Sequence, residues 1–305
     1  MNNYSITFQQ FAEELLEEVK GLLGSCYEVS LERAVKNNST YLDGIMIKKQ
    51  GCKIAPNFYL DECYRRYQYF GDMPTIAREI VEAYERSRHQ HINFDMEHFA
   101  EAMNNVYFKL VNTEMNKEML ANVPHRPFLD LSIVYYIIVP IDKGTTGTLI
   151  ITNEHMNMFL LAEEDLYARA MENTQLDFKG TLKCMEDVLY DLSRKLDIPM
   201  EQSYDMLPPM MLVATNEKGM FGSSVLLYKN FLKEKLSRFG RSKYVILPSS
   251  VHETILLPLT KDYCQEYFSN MVKEINETQV APTEILSNTI YLYDLETDTI
   301  SISVA

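Results

Sequence analysis

From Asp130 to the end, the chain alternates short apolar runs with connections too brief to carry a crossover. Asp130–Val139 and Thr148–Phe159 flank a Gly144-Thr145-Thr146-Gly147 turn, and Met210–Thr215 and Ser223–Tyr228 flank a Gly-containing one. Lys243–Leu247 and His252–Leu257 form a third pair, and Thr289–Tyr293 and Thr299–Val304 a last one across Glu296-Thr297-Asp298. A parallel neighbour needs a connection of a dozen or more residues, so strands joined this closely pair antiparallel. Helical patterns follow the pairs, at Glu163–Glu172, Phe231–Phe239 and Asp262–Asn276, with an extra one at Leu182–Leu196. The expected class is therefore α+β: an antiparallel or mixed sheet built of repeated hairpin-plus-helix units, with helices packed on one face.

The first 123 residues read differently. Thr7 and Gln10 have capping-box spacing. Phe8, Phe11, Ala12, Leu15, Val19, Leu22 and Leu23 then form one apolar stripe, closed by Gly24. A hairpin is expected from Tyr27–Val35 and Tyr41–Ile47 across Lys36-Asn37-Asn38-Ser39. Helices are expected around Tyr59–Tyr69 and Pro74–Arg86, with Asp72 as cap of the second, and from Met96 to about Met119. Pro124 and Pro127 mark the change of character. The division expected is 1–123, a mixed helical region with one β-hairpin, and 124–305, a strand-rich region, as two domains or one continuous one.

Bulk properties narrow the function classes. With 305 residues the chain can bury a substantial core. A net charge of −14 repels phosphate backbones and anionic lipid. The clusters Lys48-Lys49, Arg65-Arg66 and Arg238/Arg241/Lys243 are too short and interrupted to reverse that, so neither nucleic acid nor membrane is the expected partner. Five scattered cysteines, with no C-x-x-C pair, argue for reduced thiols rather than a disulfide framework or zinc cage. The start, MNNYSITFQQF, has neither the basic nor the apolar region of a secretory signal. Leu131–Ile141 is the longest apolar stretch and falls well short of the roughly 20 residues of a membrane span. A soluble, cytoplasmic protein is the expectation.

Several motifs together resemble a known family. They are Lys36-Asn37-Asn38, Ala55-Pro56-Asn57-Phe58-Tyr59-Leu60, Pro124-His125-Arg126 with Leu129-Asp130-Leu131, and Val213-Ala214-Thr215-Asn216. The most specific runs Ile246-Leu247-Pro248-Ser249-Ser250-Val251-His252-Glu253-Thr254-Ile255-Leu256-Leu257-Pro258. The combination resembles the domain of unknown function numbered 5688, a bacterial family of clostridial gut organisms, over about residues 7 to 295. Asn57-Phe58 departs from the family's commoner Thr-Ile. The resemblance implies a bacterial, cytoplasmic protein and supplies no activity.

The densest polar motif lies between two apolar runs, at Pro248-Ser249-Ser250-Val251-His252-Glu253. In extended chain Ser250 and His252 share a face about 6.6 Å apart, the arrangement of a serine nucleophile and its base. Glu253 then points the other way, so an orienting carboxylate has to come from elsewhere, Asp130 or Glu284. No G-x-S-x-G elbow is present. The competing reading is a turn whose serines satisfy backbone groups. His89, His91 and His98, with Asp95 and Glu97, supply metal-ligand chemistry in a segment that also reads as a polar connection. Gly219-Met220-Phe221-Gly222-Ser223-Ser224 offers a backbone nest, but it precedes a strand and lacks a G-K-[ST] ending, so a turn is the better reading. Asn153 and Asn216 each end an expected strand within a repeated Thr-Asn-Glu, and Arg126 sits between prolines where a cation can meet an acidic group.

The function expected is a binding or protein-interaction protein without catalysis and without a cofactor, its partner a protein or small molecule. The alternative is a hydrolase using Ser250 and His252, and a third reading binds metal through His89, His91 and His98. Binding candidates are Asn216, Ser249, Glu253, Asn153 and Arg126.

Overall fold

Thr7 opens the first helix, α1 (Phe8–Leu23), by the expected reciprocal cap. Its side chain accepts the Gln10 N–H at 3.2 Å, and the Gln10 side chain accepts the Thr7 N–H at 3.0 Å. The structure, a computed structural model, describes residues 6–49, 56–88, 101–142, 145–196, 210–248 and 250–303. It divides into two units: residues 1–98 with 139–147, and residues 99–138 with 148–305.

In the first unit, α1 ends at Gly24, whose φ of 76° suits a residue without Cβ. β1 (Tyr27–Val35) and β2 (Tyr41–Lys49) form the expected hairpin, with Val29 opposite Ile47 and Leu31 opposite Ile45. β3 (Asn57–Tyr59) adds to the free edge of β2. α2 (Asp61–Phe70) stops at left-handed Gly71, and Asp72 then caps α3 (Met73–Arg88) by accepting the Thr75 N–H at 3.1 Å. The apolar stripe of α1 buries Phe11, Ala12, Leu15 and Val19 against Ile45, Ile47, Ile76, Ala77 and Ile80. Tyr64 and Tyr67 of α2 lie over Phe11, ring centroids 5.3 and 5.2 Å away.

The second unit holds two sheets, antiparallel throughout their described residues, as the short connections require. β4 (Val106–Asn112), β5 (His125–Phe128) and β7 (Thr145–Ile150) pair with β6 (Leu131–Asp142), residues 139–147 at the end of β6 and the start of β7 being counted with the first unit. The larger sheet contains β8 (Gly180–Cys184), β9 (Leu212–Asn216), β10 (Lys243–Leu247), β11 (Thr254–Pro258), β12 (Tyr291–Asp294) and β13 (Thr299–Ile302). Its order is β13-β12-β10-β11-β9-β8. The helices are α4 (Asn153–Phe159), α5 (Glu163–Asp177), α6 (Met185–Leu196), α7 (Phe231–Leu236) and α8 (Gln265–Thr278). Val272 of α8 packs on Val245, Leu247, Leu257 and Ile290, one face of the larger sheet. On β10 and β11 the alternate residues Tyr244, Ile246 and Leu256 are also buried, so this sheet is covered on both sides. α5 lies along β4, where Thr174 accepts the Phe108 N–H at 3.1 Å.

Four expected elements differ. The helix expected from Met96 to about Met119 gives way at Val106–Asn112 to β4, because Val106, Tyr107, Phe108, Leu110 and Val111 are all buried and most are β-branched or aromatic. A strand buried on both faces shows no alternation to read. Thr148–Phe159 is half strand and half helix: β7 stops at Ile150, and Thr152 caps α4. Leu182–Leu196 begins as β8, with α6 starting only at Met185. Ser223–Tyr228 is not a strand: Gly222–Leu227 winds as a buried 3-10 segment.

Candidate functional site

Asn216, Ser250 and His252 lie where two loops touch, one after β9 and the other between β10 and β11. Asn216 ends β9 with its side chain buried. Its carbonyl oxygen accepts the N–H groups of Lys218 and Met220 at 3.1 and 3.4 Å, and its amide donates to the Met220 carbonyl at 2.8 Å. This self-bonding winds residues 216–220 into a loop and aims Phe221 at the neighbouring loop. Phe221 adopts φ 50°, a left-handed conformation that a bulky residue rarely takes. From it the Phe221 N–H donates to His252 Nδ1 at 3.3 Å, and the rings stack 10° from parallel with centroids 5.8 Å apart.

Gly222 follows for a steric reason. A Cβ there would overlap Thr215 Oγ1 and the His252 carbonyl oxygen. Those two atoms are themselves bonded, Thr215 Oγ1 donating to His252 O at 2.7 Å. Ser223 then donates both its N–H and its hydroxyl to the Val251 carbonyl, at 3.3 and 2.8 Å. From the far side the Val251 N–H donates to Glu284 O at 2.8 Å, and Ser250 forms a single antiparallel bridge with Ile285. The two loops and the 284–285 turn are thereby bonded to one another through main chain.

The two candidate catalytic side chains sit two residues apart and do not address each other. Ser250 is buried, and its hydroxyl oxygen accepts the His252 backbone N–H at 3.0 Å. The imidazole is engaged elsewhere: Nδ1 accepts from Phe221, and Nε2 lies 3.8 Å from Glu284 Oε1. A Nδ1 lone pair used as acceptor leaves the neutral ring's proton on Nε2, facing that carboxylate. Glu284 is thus one of the two carboxylates named for the role. The other, Asp130, is held by a different pair: Tyr291 and Ser287 each donate a hydroxyl to it at 2.6 Å. Burial, and next the Asp130 charge, push the Tyr291 phenol far above its ordinary range.

The remaining candidates are separate from this junction. Glu253 is half-buried immediately before β11. Ser249, and the His89, His91 and His98 group, lie outside the described residues. Among the described residues no three His, Cys, Asp or Glu side chains gather as a metal site. Asn153 donates its backbone N–H to Asn122 O at 2.9 Å and its side-chain amide to Ala121 O at 3.3 Å. Arg126 donates to Glu163 at 2.6 Å and lies over the Tyr167 ring at 4.0 Å, and Glu163 also accepts the buried Tyr135 hydroxyl. Burial and that carboxylate push the Tyr135 phenol far up as well.

Phe221 and Thr215 are the residues sequence reasoning missed. The sequence signal for Phe221 is the pair of glycines, Gly219 and Gly222, around Met220-Phe221. A second surface feature was missed as well, at the α2–α3 corner of the first unit. Tyr69 and Phe70 are 76% and 75% exposed there, and Phe70 joins Arg66, Asp72, Thr75 and Ile76 around a groove of about 450 Å³.

The sequence model of a family of unknown function, DUF5688, matches residues 8–295, nearly the whole chain. The protein belongs to that family. No match to it is found among curated proteins or among solved structures. No helix among the described residues is long and apolar enough to cross a membrane.

Proposed function

We propose that the protein is a soluble, cytoplasmic binding protein that takes hold of a protein partner at the α2–α3 corner and does not turn over a substrate. The observation that carries this reading is the adjacent pair Tyr69 and Phe70, three-quarters exposed beside a groove floored by Ile76. Aromatic side chains standing free beside a concavity are the residue type that dominates interface energetics. Arg66 at the groove is already bonded to Glu79 at 2.7 and 3.0 Å, and Asp72 is committed to its helix cap. What the corner adds is aromatic contact from Tyr69 and Phe70, beside a groove lined by polar as well as apolar side chains. The net charge of −14 favours a basic partner on approach.

Support for the non-catalytic half comes from the Ser250–His252 junction. A nucleophile needs its hydroxyl proton within reach of a base nitrogen. Here the Ser250 oxygen accepts from backbone, and the imidazole nitrogens face Phe221 and Glu284. The hydrolase reading keeps one favourable observation, the carboxylate beside His252 Nε2.

One comparison separates the two readings: the wild type, the double variant Tyr69→Ser/Phe70→Ser, and His252→Ala. Saturable pull-down of a defined partner should fall about 30-fold in the corner variant, the loss expected when an interface anchor is removed. It should persist in His252→Ala. No ester, amide or phosphoester should be hydrolysed above background by the wild type. Partner capture unchanged in the corner variant, or hydrolysis abolished by His252→Ala in a still-folded protein, would sink the proposal.

A further inference from the structure

The start of α4 is capped by a group that titrates. At the third helical position of a capping box the usual acceptor is a Glu or Gln side chain; here it is His155. The Thr152 N–H donates to His155 Nδ1 at 3.1 Å, and the His155 N–H donates to Thr152 Oγ1 at 3.3 Å. The first of these bonds requires an unprotonated Nδ1, because imidazolium has only donors and would set N–H against N–H.

We infer that His155 is an acid-sensitive latch, holding α4 in place when neutral and releasing its first turn when protonated. α4 has seven residues and buries one side chain, Met156, so its first turn leans on the cap and on the two bonds of Asn153. The same turn secures its neighbour: Asn153 holds the carbonyls of Ala121 and Asn122, at the end of the helical turn Lys117–Leu120. Release therefore loosens two segments at this corner.

The charged surroundings set the direction. Half-burial holds the imidazole below its ordinary range, and the adjacent Glu154 acts against that to a smaller degree. On the facing turn, Lys117 is paired with Glu114 at 2.6 Å and Glu118 is exposed. Beyond it, His125 bonds the Val123 carbonyl through Nδ1. As pH falls, the unfolded chain takes up its proton first. The cap's contribution is therefore complete above the ordinary imidazole range and is lost as pH falls through the depressed folded value.

The test is amide-exchange protection at Thr152, His155 and Met156, followed by NMR against pH and corrected for intrinsic exchange, in the wild type and in His155→Gln. Glutamine at this position keeps the capping-box acceptor without titrating. Wild-type protection should fall roughly five-fold, the equivalent of a lost cap, with the midpoint of the imidazole titration, while His155→Gln stays flat. If His155→Gln does not fold, His155→Glu serves the same purpose above the carboxylate range. Parallel pH profiles in wild type and variant, or an imidazole that titrates with no change in protection, would overturn the latch.

Discussion

Replacing Asp130 with Ala is expected to lower the unfolding free energy by about 3 kcal/mol, because it strips the acceptor from two hydroxyl donors at once. Tyr291 is fully buried and Ser287 nearly so, and both donate to this one carboxylate at 2.6 Å. Hydrogen bonds to a charged acceptor contribute about 1.5–3 kcal/mol each, and a buried donor left alone costs its desolvation besides. The Ser287 oxygen also accepts the Thr289 N–H at 2.8 Å, so the effect passes into the chain leading to β12. Urea denaturation of Asp130→Ala, Tyr291→Phe and the double variant closes a cycle. The pair should show a coupling of about 1–2 kcal/mol. Additive effects would mean that the hydroxyl and carboxylate do not act together.

Gly222→Ala is expected to cost as much, about 3 kcal/mol, for a steric reason. One of the atoms a Cβ would overlap is the His252 carbonyl oxygen, which is main chain and cannot swing aside. The nearby Gly219 is the control. It has a φ of 64° but open space where a Cβ would point, so Gly219→Ala should cost only about 1 kcal/mol. Thermal or urea unfolding distinguishes them. Equal losses at both positions would show that backbone conformation, rather than the contact between the two loops, sets the price.

The elements legible in the sequence are those whose information is local. Thr7 and Gln10 lie three residues apart and cap α1 as their spacing demands, and Asp72 does the same for α3. The β1–β2 and β12–β13 hairpins follow from alternation across a turn. Where burial is two-sided, the pattern disappears: β4 presents six of its seven residues to the core and reads as well for helix as for strand. Ser223–Tyr228 carries strand-forming residues yet winds as a 3-10 segment, with Gly222 tucked under Thr215 and Ser223 bonded to Val251.

The candidate site divides along the same line. That Ser250 and His252 lie close together is local and readable. Which way their hydrogen bonds run depends on Phe221, 31 residues from His252, and on Glu284, brought in by the Ser250–Ile285 bridge. The Asp130–Tyr291 bond spans 161 residues, and no spacing rule reaches that far. The repeated Thr-Asn-Glu is instructive for the same reason. Thr152 caps a helix and Asn153 is exposed, whereas Thr215 bonds the His252 carbonyl and Asn216 is buried, so one tripeptide serves two unrelated purposes.

Central to the proposed function is the His252 imidazole, whose Nδ1 accepts from the Phe221 N–H and whose Nε2 faces Glu284. The ¹⁵N resonances of its ring, recorded near neutral pH in wild type and in Ser250→Ala, test this directly. The account predicts an unprotonated Nδ1 that accepts from the Phe221 N–H, a protonated Nε2, and the same spectrum in both proteins. A ring whose protonated nitrogen is Nδ1, or one whose resonances and titration shift when the Ser250 hydroxyl is removed, would contradict it.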